Sequence, residues 1–220
     1  MKTVKLVIFD LDGTLVNTLE DLGVSTNYAL KQYGYIEHPL ENYRYFVGNG
    51  VYKLMERVLP EEVRSEKEIQ RLKESFIQYY DTHLTDYTKP YDGIIELLHN
   101  LKDKGIKLAV ATNKPHAQAL RVVEACFEQG LIDRVEGQQD GKPHKPDPTV
   151  INELMAAYNV KNEEVLYVGD SDVDMQTAVN AKLRGIGVAW GFRGEEELLQ
   201  SGAYAVIHEP FQLLQHITTK

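Results

Sequence analysis

Cysteine is almost absent from this chain of 220 residues, because Cys126 is the only one. A disulfide within the chain is therefore excluded, and we expect a reducing compartment, with a cytoplasmic location. Cys126 lies in a stretch with a helical pattern, where a packed thiol is more common than a nucleophile. No apolar run is long enough to span a membrane, and the apolar run near residue 1 is too short for a signal peptide.

Positive charge is also scarce, since 24 lysines and arginines face 33 aspartates and glutamates, for a net charge of −9. An acidic surface repels nucleic acid and anionic lipid, so we expect neither as a partner. An anionic substrate would have to be attracted locally, by a metal ion or a few lysines. The sequence says nothing about assembly, and a monomer is the default expectation, with a dimer left open.

What the sequence does contain is a series of short apolar, β-branched runs separated by helical patterns. Runs of this kind are typical of parallel strands that are buried on both faces. Their alternation with helices predicts an α/β fold, a Rossmann-like doubly wound parallel sheet. The runs are residues 4–9, 106–111, 165–168, 186–189 and, more weakly, 204–207.

The region 16–86 has no convincing strand and carries amphipathic helical stretches at 19–33, 51–58 and 67–82. Gly48-Asn49-Gly50 breaks this pattern once, as a turn would. We therefore expect an all-helical domain at 16–86, inserted into a core domain made of residues 1–15 and 87–220.

Polar residues follow three of the predicted strands, and a lysine-rich loop precedes the helical pattern that starts near residue 150. Open α/β sheets bind their ligands beyond the carboxyl ends of the strands, so these groups should meet. So many carboxylates together would repel one another, and a divalent cation with oxygen ligands, such as Mg²⁺, would relieve that repulsion. The groups are Asp10 and Asp12, Thr112 and Asn113, Asp170 and Asp174, and Lys142 and Lys145.

Carboxylate, metal and lysine together suit phosphoryl transfer, with Thr112 as a donor to a phosphoryl oxygen. Taken singly, each residue has a plainer interpretation. Thr112 could cap a helix, a loop lysine could be solvated, and Asp172 and Asp174 could cap the helix that follows them.

Four motifs in order resemble the haloacid dehalogenase superfamily, in its phosphatase branch, over nearly the whole chain. They are Asp10-Leu-Asp12-Gly-Thr-Leu, Thr112-Asn113, Lys145-Pro-Asp-Pro, and Gly169-Asp170-Ser-x-x-Asp174. The resemblance implies that Asp10 attacks phosphorus and forms an aspartyl-phosphate, which water then hydrolyses. It implies that Asp12 protonates the leaving oxygen and then activates that water.

The same resemblance implies which residues bind the metal ion and which bind the phosphoryl group. Mg²⁺ would be held by the Asp10 side chain, the Asp12 backbone carbonyl and Asp170, with Asp174 assisting. Thr112, the backbone of Asn113 and Lys145 would bind the phosphoryl group. Lys142 is a rival for the lysine role, and Lys145 is favoured because it precedes Pro-Asp-Pro.

The helical insert has the position of the family's C1 cap. Gly48, Asn49 and Gly50 resemble a Val-Gly-x-Gly segment of phosphoglycolate phosphatases that faces the leaving group, although a turn with positive φ explains the glycines equally well. Arg44 and Lys53 could bind a substrate carboxylate or could simply be exposed. Asn17 stands where many relatives have aspartate, at the start of the cap hinge.

The resemblance makes a small phosphate monoester the expected substrate, with phosphoglycolate as the leading candidate. A β-phosphoglucomutase-like phosphotransferase or a pyrophosphatase of the same superfamily is the alternative. Mutases of that type tend to lack the threonine at position 14 and to carry a cap histidine shortly after it, and here Thr14 is present while residues 17–20 contain no histidine. A phospho-accepting receiver-like regulator is the alternative from another class, but it would lack Asp12 and the insert.

Overall fold

A computed structural model of the protein describes residues 3–217. The outermost residues of the predicted core domain, 1–2 and 218–220, lie outside this range. Eight strands are present among the described residues: β1 Leu6–Phe9, β2 Val16–Asn17, β3 Lys89–Pro90, β4 Lys107–Pro115, β5 Arg134–Gln138, β6 Val165–Gly169, β7 Arg184–Val188 and β8 Ala205–Ile207.

Nine α-helices connect or flank these strands within the same range: α1 Leu19–Gln32, α2 Tyr43–Phe46, α3 Gly50–Val58, α4 Glu66–Tyr80, α5 Ile94–Asp103, α6 His116–Cys126, α7 Thr149–Ala157, α8 Asp172–Asn180 and α9 Glu195–Gln200. Short 3₁₀ helices lie at Leu40–Asn42, Glu61–Val63, Asn162–Glu164 and Pro210–His216. None of the helices in the described part of the chain is both long enough and apolar enough to cross a membrane.

Six parallel strands form the main sheet, in the order β5-β4-β1-β6-β7-β8. The chain starts at the centre, moves outward to β5, and then returns to the other side of β1, which confirms the predicted doubly wound topology. Side chains of β1 alternate between two apolar clusters, with Val7 and Phe9 in one and Leu6 and Ile8 in the other. The sheet is therefore packed on both faces, as continuous apolar strands require.

Strand β5 was not predicted from the sequence. Its residues, Arg134 to Gln138, include charged and amide side chains, and it lies at the sheet edge with β4 as its only strand partner. An edge strand needs less apolar surface than a central one, so the usual apolar signal is missing. Strand β4 is also longer than predicted, because it continues through Thr112 and Lys114 to Pro115.

The first four helices form one segment, which we call the inserted helices (residues 19–80). Helices α1, α3 and α4 agree closely with the predicted stretches. Their entry and exit are joined by an antiparallel ribbon of β2 and β3, which pairs Val16 with Pro90 and Asn17 with Lys89. The buried carboxylate of Asp21 reinforces this connection, because it accepts hydrogen bonds from the Thr88 amide (2.8 Å) and hydroxyl (2.6 Å).

Candidate active site

The carboxyl end of β1 delivers Asp10, which lies beside the ends of β4 and β6. The ammonium group of Lys145 donates to Asp10 Oδ1 and to Asp174 Oδ1, each at 2.8 Å, and to the Tyr167 hydroxyl at 3.0 Å. Two buried carboxylates are thus joined by one buried cation. Although burial lowers it, the Asp10 and Asp174 carboxylates raise the pKa of Lys145 well above its ordinary value, and Lys145 remains an ammonium ion.

Asp170 follows β6 and completes a cluster with Asp10 and Asp174, whose ligand oxygens all lie within 4.8 Å of one another. Its Oδ1 accepts from the Thr14 hydroxyl (3.0 Å) and its Oδ2 from the Phe192 amide (2.8 Å). Gly13 has a φ of +87°, and a Cβ there would collide with the Asp170 carboxylate. Only glycine therefore allows the backbone after Asp12 to approach this carboxylate.

Asp174 is held by the start of α8. The Ser171 amide donates to Asp174 Oδ2 at 3.1 Å and the Asp174 amide donates to Ser171 Oγ at 3.4 Å, which forms a capping box. The Ser171 hydroxyl also lies 2.6 Å from Asp174 Oδ2. The capping interpretation of Asp174 is therefore correct, and the same carboxylate also belongs to the acidic cluster. Ser171 contacts Oδ2 of this carboxylate, whereas Lys145 contacts Oδ1.

Burial and mutual repulsion raise the pKa values of two carboxylates in the cluster. Burial, followed by the neighbouring Asp174, raises the pKa of Asp10 from 3.8 to about 7 against the opposing effect of Lys145. Burial, Asp174 and Asp10 raise the pKa of Asp170 well above its usual range. Three oxygen donors in a dry site with unfavourable charge are a donor set that a hard divalent cation fits, so the residues present are compatible with Mg²⁺.

Asp12 has a different environment from Asp10. Lys114 Nζ lies 3.1 Å from Asp12 Oδ1 and 3.4 Å from Oδ2, and it also donates to the Tyr80 hydroxyl at 2.6 Å. Although burial opposes it, Asp12 raises the pKa of Lys114 above its ordinary value. Sequence reasoning assigned no role to Lys114 or Tyr80. The usable signal was a lysine two residues after Thr112, at the end of a strand that was predicted too short.

A cleft between the inserted helices and the sheet opens onto these groups. The sheet side of the cleft is lined by Asp10, Asp12, Thr112 and Asn113. The side of the inserted helices is lined by Gly48 and Gly50. The Asn113 side chain bridges the two sides, because its amide donates to Gly48 O at 3.1 Å and to Lys145 O at 3.2 Å.

Other candidates from the sequence lie outside the cleft. Lys142 is exposed and pairs with Glu153 at 2.7 Å, so the favoured Lys145 is the lysine at the carboxylates. The Asn49 carboxamide accepts from Arg57 at 2.7 Å. The exposed Asn17 accepts from the Leu19 amide, next to the β2–β3 ribbon.

Neither Arg44 nor Lys53 lines the cleft. Arg44 Nε donates to Phe192 O at 3.1 Å, and Lys53 pairs with Glu56 at 2.6 Å. The possibility that they contact a substrate carboxylate is not supported. Cys126 ends α6 as a partly buried thiol, and burial raises its pKa to about 11, as suits a packed rather than a reactive cysteine.

Carboxylates at the ends of parallel strands, a buried lysine and a cleft beside them are groups that suit a hydrolase. A family model described as haloacid dehalogenase-like hydrolase matches residues 7–188. A phosphoglycolate phosphatase from Haemophilus influenzae is 34% identical over 216 residues, covering 96% of each chain. One from Aquifex aeolicus is 31% identical over 188 residues, covering 86% of each.

A solved structure from Lactobacillus delbrueckii subsp. bulgaricus, itself a predicted phosphoglycolate phosphatase, superposes with a TM-score of 0.93 at 32% identity and covers 100% of both chains. The chain belongs to the haloacid dehalogenase-like hydrolases. Its relatives place it among the phosphatases of that family, which confirms the resemblance found from the sequence motifs.

Proposed function

We propose that this protein is a Mg²⁺-dependent phosphatase that hydrolyses phosphoglycolate through an aspartyl-phosphate on Asp10. The observation that carries the proposal is the position of Asp10, at the end of β1, between Lys145 and the cleft. The similarity to phosphoglycolate phosphatases supports the choice of substrate.

In this proposal a carboxylate oxygen of Asp10 attacks phosphorus while Asp12 gives a proton to the leaving oxygen. Asp12 then takes a proton from water, and that water attacks the phosphorus of the aspartyl-phosphate and releases inorganic phosphate. Thr112 donates a hydrogen bond to a phosphoryl oxygen. Lys145 orients Asp10 and holds positive charge next to it.

Asp10, Asp170 and Asp174 are the residues that would hold Mg²⁺. When bound, the ion would shield the attacking carboxylate from the negative phosphoryl group and would polarise the phosphoryl oxygens. The inserted helices would act as a cap at 16–86 that excludes water during transfer, and Gly48 and Gly50 would face the leaving group.

The direct test is a comparison of kcat/KM over a panel of phosphate esters, with Mg²⁺ and with EDTA. We expect phosphoglycolate to rank first and all turnover to require the metal ion. A higher rank for sugar phosphates or pyrophosphate would favour the phosphotransferase or pyrophosphatase alternatives. The regulator alternative has no support, because the family is one of hydrolases.

A further inference from the structure

The cleft contains one cation that the proposed chemistry does not use. Of the described residues that line the cleft, only Lys114 is basic, whereas two carboxylates and several apolar side chains share the same walls. Lys145 is not among the lining residues, and its ammonium already contacts Asp10, Asp174, the Tyr167 hydroxyl and a backbone carbonyl. Any second negative charge on a substrate would therefore meet Lys114.

The ammonium of Lys114 is held at the wall of the cleft by groups from both sides. Its three N–H donors have three acceptor atoms in the described part of the chain, which are Asp12 Oδ1 at 3.1 Å, Asp12 Oδ2 at 3.4 Å and the Tyr80 hydroxyl at 2.6 Å. Its side chain is 3% exposed, so bulk water screens its charge only weakly. The contact with Asp12 Oδ2 is the longest of the three, so it is the one that a carboxylate bound in the cleft would replace.

Gln118 lies at the same wall of the cleft as Lys114. Its Nε2 donates to Asp81 Oδ1 at 2.7 Å, which fixes the orientation of the amide. Its Oε1 is buried and has no hydrogen-bond partner among the described residues, while Gln118 as a whole is 6% exposed and lines the cleft. This oxygen is an acceptor, so a hydrogen-bond donor such as water would complete it, and a carboxylate would not.

We infer that Lys114 binds the carboxylate of the substrate and selects phosphate esters of 2-hydroxy acids. The inference rests on the proposed function, in which Asp12 protonates the ester oxygen. In such an ester a carboxylate oxygen is only three bonds from the ester oxygen. Lys114 Nζ lies 3.1 Å from Asp12 Oδ1. Lys114 can therefore bind the substrate carboxylate while Asp12 contacts the ester oxygen of the same molecule.

Tyr80 is a positioning residue in this arrangement. It ends α4, its hydroxyl accepts from Lys114 at 2.6 Å, and its ring lies 4.8 Å from the ammonium. Because Tyr80 belongs to the inserted helices and Lys114 to β4, the carboxylate site is assembled from both sides of the cleft.

The test compares phosphoglycolate with ethyl phosphate, which has the same carbon count but lacks the carboxylate. The measured quantity is the ratio of the two kcat/KM values. Lys114→Met keeps the length and apolar stem of the side chain and removes the charge, and we expect it to lower this ratio about 50-fold. Lys142→Met, at an exposed lysine, is the matched control and should leave the ratio within about twofold of wild type.

If Lys114→Met lowered kcat/KM equally for both esters, the inference would be overturned, because Lys114 would then act only through Asp12. An unchanged ratio would overturn it as well. Tyr80→Phe should lower the same ratio by a smaller factor, mainly through a higher KM for phosphoglycolate, and Lys114→Arg should restore part of the ratio.

Measurements on the unaltered protein keep the inference testable even if these variants fold poorly. Wild type should prefer phosphoglycolate and phospholactate to ethyl phosphate and glycerol phosphate. Turnover of all four esters without such a preference would discard the carboxylate site and leave a phosphatase. Absence of any Mg²⁺-dependent turnover would discard the proposed function itself.

Discussion

Asp10 and Asp12 are two residues apart, yet their surroundings differ in a way that matches two roles. Asp10 is bonded to Lys145 and lies against two more carboxylates, whereas Asp12 is bonded to Lys114 and faces the cleft. A nucleophile benefits from a fixed orientation and an acid–base group from contact with the leaving group. The two environments therefore support the proposed division of labour.

Replacing Asp10 by asparagine tests the nucleophile. Asp10→Asn keeps the size of the side chain and removes the attacking oxygen charge, so we expect kcat to fall by at least about 10⁴-fold. Acid quenching of wild type during turnover should leave a phosphoryl group on the peptide that contains Asp10. Full activity in the variant, or label on another peptide, would contradict the assignment.

Asp12→Asn should separate the two chemical steps. With para-nitrophenyl phosphate the leaving group needs no proton, so Asp10 can still be phosphorylated, whereas the water that follows is no longer activated. We expect a rapid burst of nitrophenol that is stoichiometric with enzyme, followed by slow turnover in stopped-flow absorbance. Loss of the burst together with turnover would argue that Asp12 acts in the first step alone or in folding.

At the scale of the elements, the segment 190–193 after β7 connects the Asp170 carboxylate to the inserted helices. The Phe192 amide donates to Asp170, and the Phe192 carbonyl accepts from Arg44. The buried Arg193 contacts the carbonyls of Tyr45 and Val47 at 3.4 Å each. The inserted helices and the Asp170 carboxylate therefore contact the same short piece of chain.

Arg44→Met tests this connection. Removing the guanidinium leaves the Phe192 carbonyl without its partner from the inserted helices, and we expect kcat/KM to fall about tenfold, mostly through KM. The matched control is Arg64→Met, because Arg64 also donates to a backbone carbonyl, that of Leu59, but within the inserted helices. Equal effects of the two variants would show that the loss reflects general stability.

At the scale of the whole molecule, the acidic cluster links stability, pH and metal binding. The pKa of Asp10 is raised to about 7 without metal, chiefly by burial, while an unfolded aspartate titrates near 3.8. Between these pH values the native state holds a proton that the unfolded state has lost. The contribution of Asp10 to stability is therefore complete below about pH 4 and declines as pH rises to about 7.

Mg²⁺ must compete with that proton, so its stabilising effect should grow with pH. At one fixed Mg²⁺ concentration we expect the increase in Tm over an EDTA sample to be larger at pH 8 than at pH 6, as measured by differential scanning calorimetry. Asp10→Asn should reduce both the increase and its pH dependence. An increase that is the same at both pH values in wild type would show that Asp10 is not a ligand of the ion.

The fold was largely predictable because its central strands are continuous apolar runs, and the prediction was weakest where this signal is weak. Strand β5 is polar at the sheet edge, and the β2–β3 ribbon has only two residues in each strand. The end of β4 was also missed, since polar residues such as Thr112 look like a loop until they are seen paired in a sheet.

The amino-acid sequence by itself determined the α/β class, the helical insert and the motif carboxylates, because apolar periodicity and motif spacing are local properties of the chain. Only the tertiary structure showed that Asp10 and Asp174 share Lys145 and that Lys114 lies between Asp12 and Tyr80. Those partners are separated by up to 135 positions. Such pairings depend on which strand ends and helix ends the folded sheet brings together, and no local pattern encodes that distance.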